Sequence, residues 1–387
     1  MPPASKPTVN RRAKQARGHS TAKRVLLYGA TGYTGRLIAR DAVARGLRPL
    51  LAGRDAARLS VLGRELECET RVANLDQPHA LALALQGIGV VVNAAGPFSV
   101  TARPLVEACL KSGAHYLDVS GEVDTLAAIS AYDAAGKRAG VMLMPGVGFD
   151  VVPSDCLVAR VKRRLPSASR LAIGISGLEL VSRGSARTIA EQMGKGIQVR
   201  RNGELTTVGT STLESSFDFG LGLRRSVCVS WGDVVTAFHT TGIPNIEVYF
   251  ESTPAIRAFQ LLGQSSLFPP AALFSHFWMQ AWIEAQPDGP TPSERAGRQA
   301  VIVARAETED GRYAVSRAKT PEVYTFTAAA AALSAARVME GDFEPGFATP
   351  ARVFGETFLS SFEGVTVEDV STVDTSRPSP GQQGARR

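Results

Sequence analysis

The chain has 387 residues, of which 44% are hydrophobic and 20% are charged, and this ordinary globular composition excludes disorder throughout. Its length predicts two domains, because one hydrophobic core rarely organises so many residues. The formal net charge of +7 comes from the first 24 residues, which hold seven basic and no acidic side chains. The other residues carry 36 charges of each sign, so the composition argues against a nucleic-acid-binding domain.

The two ends of the chain differ from the rest. Residues 1–22 are predicted to form a disordered basic tail, because their charges come with no apolar pattern. Their Arg-rich, acid-poor composition leaves a transit peptide as the less favoured alternative. Residues 371–387 are rich in Ser, Pro, Gly and Arg and are predicted to be a second disordered tail. With no secretory apolar segment, no run of ~20 apolar residues and no paired cysteine motif, a cytoplasmic location is expected.

From residue 24 to residue 144 the sequence alternates short apolar segments with amphipathic ones. The predicted strands are 24–28, 49–52, 70–73, 89–94, 115–119 and 141–144. The predicted helices are 33–45, 56–67, 78–85, 104–112 and 124–139. This alternation predicts right-handed βαβ units around a parallel sheet. The fold class is therefore α/β, with a Rossmann domain over residues 23–155.

Three glycines follow the first predicted strand with the spacing G-x-x-G-x-x-G. Gly29 permits a tight turn, Gly32 lets a pyrophosphate approach the backbone, and Gly35 lets the helix pack close to the strand. The pyrophosphate then sits on the helix N-terminus, where N–H groups and the helix dipole favour an anion. The strand–turn–helix context supports this interpretation over a glycine-rich turn without a ligand. The residues predicted to bind the dinucleotide here are Gly29, Thr31, Gly32, Tyr33, Thr34 and Gly35.

The ends of the second and fourth predicted strands supply further cofactor contacts. Arg54 stands where NAD-specific domains usually have an acid, and an arginine suits the 2′-phosphate of NADP. Asp55 follows directly, so a ribose contact and NADH remain the alternative. After the fourth strand, Ala95, Gly96 and Pro97 are predicted to let a flat cofactor cross the sheet edge. The sequence therefore predicts NADP, in the form of NADPH, as the cofactor.

Residues 156–370 are predicted to form a second, substrate-binding α+β domain on a mixed or antiparallel sheet. The evidence is a set of longer strand-like segments at 171–176, 206–208, 227–229, 245–251 and 300–307. The end of this domain is expected to pack back on the Rossmann domain. Within it, the aromatic-rich stretch 267–283 is expected to line a pocket for an apolar substrate. Peripheral contact with a membrane and burial at a domain interface are the alternatives for this stretch.

Several motifs taken together resemble the saccharopine dehydrogenase-like oxidoreductase family. They are 29–35, 52–54, 93–98, 113–118, 121–122, 145–150, 239–245 and 345–351, so the resemblance covers most of residues 24–370. Within the family, the chain is most similar to the branch of the mycobacterial trans-acting enoyl reductases, which reduce a double bond in a polyketide-derived lipid precursor. The resemblance implies an NADP-type Rossmann domain and a second domain with a mixed sheet.

A reductase of this kind also needs a proton donor. The sequence favours two candidates: Glu122, in the loop after the fifth strand, and His239, which is expected to start a polar turn. The Tyr-x-x-x-Lys pair of short-chain dehydrogenases is absent, and the spacing of the histidines argues against a catalytic metal.

The sequence thus favours an NADPH-dependent oxidoreductase that resembles an enoyl reductase and acts on an apolar, lipid- or polyketide-like substrate. The alternative is a non-catalytic dinucleotide-binding protein that docks on a membrane or a protein partner through 267–283. The glycine motif fits both, and the family resemblance favours the enzyme. A homodimer is left open.

Overall fold

A computed structural model describes residues 24–192, 196–209, 213–254, 284 and 287–371. The predicted N-terminal tail, residues 372–387 of the predicted C-terminal tail and the aromatic-rich stretch 267–283 lie outside these described residues. None of the described helices is long and apolar enough to cross a membrane.

The first sheet is entirely parallel and carries the Rossmann fold. Its strands are β1 (Arg24–Tyr28), β2 (Leu50–Gly53), β3 (Thr70–Val72), β4 (Ile88–Asn93), β5 (His115–Asp118) and β6 (Met142–Met144). The helices between them are α1 (Tyr33–Ala44), α2 (Ala56–Leu66), α3 (Pro78–Ala84), α4 (Phe98–Ser112), α5 (Val123–Ser130) and α6 (Asp133–Ala139). The strand order β3-β2-β1-β4-β5-β6 changes direction between β1 and β4, and such a switch point opens a ligand crevice at the carboxyl edge. The predicted parallel Rossmann sheet is confirmed.

Two predicted helices differ from those observed. The helix predicted at 104–112 begins at Phe98, so Pro104 lies inside α4 and does not start it. The helix predicted at 124–139 is divided into α5 and α6. The break lets Tyr132 turn towards α4, where its hydroxyl donates a hydrogen bond of 3.0 Å to Glu107. Tertiary contacts, which local periodicity does not encode, thus set this boundary.

The second sheet is mixed. Its strands are β7 (Arg170–Ser176), β8 (Ile197–Arg201), β9 (Glu204–Val208), β10 (Glu214–Asp218), β11 (Leu223–Val229), β12 (Asn245–Glu251), β13 (Gln299–Glu307), β14 (Tyr313–Pro321) and, last in the chain, β16 (Thr366–Ser371). The associated helices are α7 (Val152–Arg164), α8 (Arg183–Gln192), α9 (Asp233–Thr241) and α10 (Pro292–Arg295). The strand order is β10-β11-β12-β7-β13-β14-β16, β8 pairs with β12 and β9, and only β7 and β12 run parallel among the described pairs. The predicted mixed sheet is confirmed.

The chain returns to the first sheet near its end. Helix α11 (Val323–Glu340) packs along α1, and β15 (Gly346–Phe347) adds a seventh parallel strand beside β6. A short helix α12 (Pro350–Phe354) and a 3-10 helix (Glu356–Ser361) then lead to β16. One continuous hydrophobic core includes side chains from both sheets. The carboxyl edge of the Rossmann sheet is therefore held in a defined position against the second sheet.

Candidate cofactor and active site

The turn after β1 is built around two glycines that no larger residue can replace without displacing its neighbours. The Gly29 N–H donates to the Ala52 carbonyl at 2.9 Å, and Gly29 has a φ of 80°. A Cβ on Gly29 would lie 2.7 Å from the backbone nitrogen of Ala95. A Cβ on Gly35 would overlap the carbonyl oxygen of Gly29. These two glycines therefore bring β1, β4 and α1 into close contact, as predicted for a dinucleotide-binding turn.

The middle glycine has a different environment. Gly32 is exposed, has an ordinary φ of −71°, and would place a Cβ 3.3 Å from the Gly29 carbonyl oxygen. Gly32 starts α1, which has neither a side-chain cap nor an acidic residue in its first turn. The first N–H groups of a helix have no partner within the helix, so those of Tyr33, Thr34 and Gly35 are available to an anion. The loop thus fits the pyrophosphate of a dinucleotide.

Arginines surround this loop. Arg54 is exposed at the tip of β2, and the guanidinium groups of Arg58 and Arg36 donate to the Thr31 carbonyl at 3.2 and 2.8 Å. Asp55 caps α2, because its carboxylate accepts the Arg58 N–H at 3.0 Å. Asp55 was the reason for keeping NADH as an alternative cofactor, and its carboxylate is used to cap this helix. An open groove runs beside the loop and is lined by Thr31, Arg36, Ala57, Arg58, Val61, Leu62 and Glu65.

Sequence reasoning missed Arg58. It follows Arg54 by one helical turn, in the first turn of a helix predicted at 56–67. A residue at that spacing turns back towards the strand tip. Its guanidinium lies beside the loop, and with the exposed Arg54 at the tip of β2 it offers the chemistry that a 2′-phosphate requires.

The loop after β4 is held by side chains of its own segment. The Asn93 carboxamide oxygen accepts the Ala95 N–H at 3.0 Å, and the Thr101 hydroxyl donates to the Ala95 carbonyl at 2.6 Å. Gly96 is exposed and Pro97 is partly buried, with a cis peptide bond between them. The predicted residues Ala95, Gly96 and Pro97 thus border the same carboxyl edge as the glycine loop.

A buried hydrogen-bond network holds the ends of three neighbouring strands. The Tyr116 hydroxyl donates to Asp118 at 2.8 Å and accepts from the Asn93 amide at 3.3 Å. Asp118 also accepts hydrogen bonds from Ser120 and from the Gly146 N–H at 2.9 Å. Because the Asp118 carboxyl has protein partners on both oxygens, its role is to position the loops after β4, β5 and β6.

Two tyrosines cover the glycine loop. The Tyr33 and Tyr324 rings meet edge to face at 5.2 Å, and the Tyr33 hydroxyl donates to the Pro290 carbonyl at 2.6 Å. The Tyr324 hydroxyl accepts the Ser182 N–H at 2.6 Å and lies 3.1 Å from the Ser185 hydroxyl. Segment 287–290, α11 and the start of α8 thus form a wall opposite the Rossmann edge.

The loop after β5 meets the second domain in what we call the carboxyl junction, formed by Gly121, Asp150, Trp231, Gly232 and Asp233. A Cβ on Gly121 would lie 2.7 Å from an Asp150 carboxyl oxygen, and one on Gly232 would lie 3.1 Å from the Gly121 carbonyl. The Trp231 indole N–H donates to the Asp150 carbonyl at 2.9 Å. Paired glycines therefore let three loops approach at this point, with Asp150 between them.

The predicted proton donors have different surroundings. Glu122 is almost fully buried at the N-terminus of α5, next to the carboxyl junction. His239 does not start a turn as predicted, because it lies in the last turn of α9, about 9 Å along the helix axis from Asp233. Its ring packs against Phe347 of β15 at 4.5 Å, and burial lowers its pKa. The helix continues past His239 to Thr241 and ends at Gly242, which has a left-handed conformation.

The fold and the glycine loop define a dinucleotide-binding Rossmann protein. Residues 25–144 match the family model of the saccharopine dehydrogenase NADP-binding domain. This part of the chain is thus similar to an NADP-binding domain, and NADP is the cofactor, as the sequence predicted.

Similar proteins extend this assignment. The trans-acting enoyl reductase of Mycobacterium tuberculosis is 34% identical over 148 residues, which cover 36% of this chain and 35% of that protein. A probable mitochondrial saccharopine dehydrogenase-like oxidoreductase of Arabidopsis thaliana is 29% identical over 151 residues, which cover 34% of this chain and 33% of that protein. The chain thus matches about a third of the length of these curated relatives. The predicted resemblance is confirmed.

One solved structure shares the architecture over nearly the whole chain. It is the apo saccharopine dehydrogenase (L-Glu forming) of Saccharomyces cerevisiae, which has a TM-score of 0.57 and covers 90% of this chain and 100% of its own. At 13% sequence identity this similarity concerns the fold alone.

Proposed function

We propose that the protein is an NADPH-dependent oxidoreductase of the enoyl reductase type, acting on an apolar, lipid- or polyketide-like substrate. The observation that carries the redox part is the uncapped N-terminus of α1, with Arg54 and Arg58 beside it. The substrate class is supported by the names of the mycobacterial relatives and by the aromatic-rich stretch 267–283.

Different groups of the chain bind different parts of the cofactor. The N–H groups of Tyr33, Thr34 and Gly35 bind the pyrophosphate, and Arg54 and Arg58 bind the 2′-phosphate. The loop of Ala95, Gly96 and Pro97 leaves room for the nicotinamide end over β4 and β5. NADPH supplies a hydride when it is bound. The rings of Tyr33 and Tyr324, which pack against each other beside the glycine loop, restrict access of water to the site.

Cofactor titration followed by turnover tests this proposal. We expect NADPH to bind at least about tenfold more tightly than NADH, which corresponds to about 1.4 kcal/mol. We also expect NADPH absorbance to fall when a long-chain α,β-unsaturated thioester is added. The saturated thioester of equal length is the matched control and should leave NADPH unchanged. Tight NADPH binding without consumption by any enoyl thioester would favour the non-catalytic alternative, and equal binding of NADH would contradict the role of Arg54.

A further inference from the structure

The carboxyl junction concentrates acidic groups where the nicotinamide end of the cofactor is expected. In a Rossmann domain the pyrophosphate crosses the sheet at the β1 turn and the adenosine lies towards β2. The other half of the dinucleotide therefore extends over β4, β5 and β6. Asp150 follows β6 and lies against Gly121, which follows β5.

Helix α11 connects this junction to the glycine loop. Its residue Tyr324 contacts the Tyr33 ring, and the Thr327 hydroxyl accepts the Phe149 N–H at 3.0 Å. Tyr324 and Thr327 are about 4.5 Å apart along the helix axis. One turn of a single helix thus touches both the start of α1 and the residue before Asp150, so the two regions lie close together on the same side of α11.

The tyrosine hydroxyls at this edge have protein partners. The hydroxyls of Tyr33 and Tyr116 donate to Pro290 and Asp118, respectively. The Tyr324 hydroxyl is enclosed by Ser182 and Ser185. We therefore consider the carboxyl groups in and near the junction, those of Asp150, Asp233, Asp155 and Glu122, as candidates for exchange of a proton with a ligand.

These four carboxyl residues differ in how deeply they are buried. Asp233 is completely buried: one of its oxygens accepts from the Ser154 hydroxyl at 2.6 Å, and the other has no hydrogen-bond partner in the part of the chain that the structure describes. Asp155 is also completely buried and accepts the Ala351 N–H at 2.7 Å. Glu122 is 8% exposed. Asp150 is the only one of these four residues that is half-buried and not buried, and its carboxyl rests on Gly121.

We propose that Asp150 is the catalytic acid of the reduction, holding a proton on its carboxyl group and delivering it to the substrate. This inference rests on the proposed function. One carbon of the double bond takes the hydride, and the carbon next to the carbonyl takes the proton from Asp150. The product is the saturated carbonyl compound, and the Asp150 carboxylate regains its proton from water.

The electrostatics of the junction support the role. Burial raises the pKa of the Asp150 carboxyl to about 7, so a proton is available near neutral pH. Burial also raises the pKa of Asp233 well above its usual range, and the neighbouring charges of Asp155 and Asp150 raise it further. Burial raises the pKa of Tyr324 as well, and Asp150 adds to that rise. Asp233 and Tyr324, whose pKa values respond to the charge of Asp150, are thus acids as well, whereas burial is what raises the pKa of Asp150 itself.

The first experiment measures kcat/KM for the enoyl thioester against pH in the wild type, Asp150→Asn and Asp155→Asn. We expect the wild-type value to decline as pH rises through about 7, because the acid must be protonated. Asp150→Asn should lower kcat/KM by about 100-fold or more and remove this decline. It should leave the Kd for NADPH within about twofold. The control Asp155→Asn removes a nearby, completely buried carboxyl that has its own hydrogen-bond partners, and it should keep the decline.

The outcomes separate the two proposals. A wild type that binds NADPH but reduces no enoyl thioester defeats the proposed function. A wild type that does reduce it, together with an Asp150→Asn variant that retains the decline or loses less than tenfold activity, overturns the role of Asp150.

A second measurement needs no cofactor. A carboxyl with a pKa of about 7 in the folded state and ~3.9 in the unfolded state makes the folded protein bind more protons between these pH values. Wild-type stability should therefore fall as pH rises from about 4 to 8, and Asp150→Asn should remove that part of the fall. The gain in Tm of the variant over wild type should be larger at pH ~8 than at pH ~5. A difference independent of pH would show that Asp150 holds no proton at neutral pH and would overturn the inference.

Discussion

The glycine loop and the carboxyl junction lie on the same sheet edge and use glycine for different purposes. In the loop, Gly32 is left exposed at the start of an uncapped helix, so the space it leaves faces outward. In the junction, the space left by Gly121 is filled by the Asp150 carboxyl, and that left by Gly232 is filled by the Leu126 side chain and the Gly121 backbone. The first arrangement leaves room for a ligand, whereas the second brings one part of the protein against another.

The polar groups of the two regions differ accordingly. The loop offers backbone N–H groups and the arginines Arg54 and Arg58, which suit phosphates. The junction offers carboxyls whose pKa is raised by burial, which suits proton transfer. One edge of one sheet can thus bind an anion at one end and hold a proton at the other, because local backbone packing sets the electrostatics of each.

The largest expected effect is a loss of stability that distinguishes Gly35, which is needed for packing, from Gly32, which leaves space for a ligand. Gly35→Ala should destabilise the fold by about 3 kcal/mol, because its methyl group overlaps the Gly29 carbonyl oxygen. Gly32→Ala meets its nearest atom at 3.3 Å and should cost much less stability, but it should weaken NADPH binding about tenfold. Urea unfolding and NADPH titration of both variants measure this. Equal stability losses in the two variants would remove the distinction between packing and ligand space.

The next effect tests the junction. Gly121→Ala would place a methyl carbon 2.7 Å from an Asp150 oxygen, and the carboxyl must move. A displacement of about 1 Å can lower turnover about 100-fold. We expect NADPH affinity to remain, since the loop is untouched. The control is Gly53→Ala at the end of β2, where the nearest atom, on Leu59, lies at 4.0 Å. Normal turnover in Gly121→Ala would mean that the position of Asp150 is unimportant.

The smallest effect concerns cofactor choice. Arg54→Ala and Arg58→Ala should each weaken NADPH binding about tenfold and leave NADH binding unchanged, because only NADPH has the 2′-phosphate. The control Arg64→Ala removes another exposed arginine of α2, whose guanidinium donates to the Ser60 carbonyl. Fluorescence titration with both cofactors provides the measurement. A preference for NADPH that survives in both single variants and in the double variant would contradict the assignment.

Much of the first sheet could be predicted from local patterns. Each strand is a short apolar run followed by a turn, so the predicted bounds of β1 to β6 agree with the structure to within a residue or two. The glycine spacing predicts the cofactor loop, and the structure shows the tight turn that this prediction requires. Arg54 also followed from its place after β2. Arg58 was missed because an arginine in the first turn of a helix is an ordinary surface residue until the turn is seen beside Thr31.

Sequence alone determined the class of fold, the place of the glycine loop and the cofactor, since strand periodicity, turn glycines and the residue after β2 act over a few neighbouring positions. Tertiary structure decided everything that depends on distant segments meeting. Asp150 and Asp233 are separated by a strand-rich region of sequence, and only the packing of α9 against the Rossmann loops brings them to one junction. His239 had the better chemistry for a proton donor but lies further along α9, against Phe347. Burial and neighbouring charge set the pKa of a carboxyl, and both are properties of the folded chain.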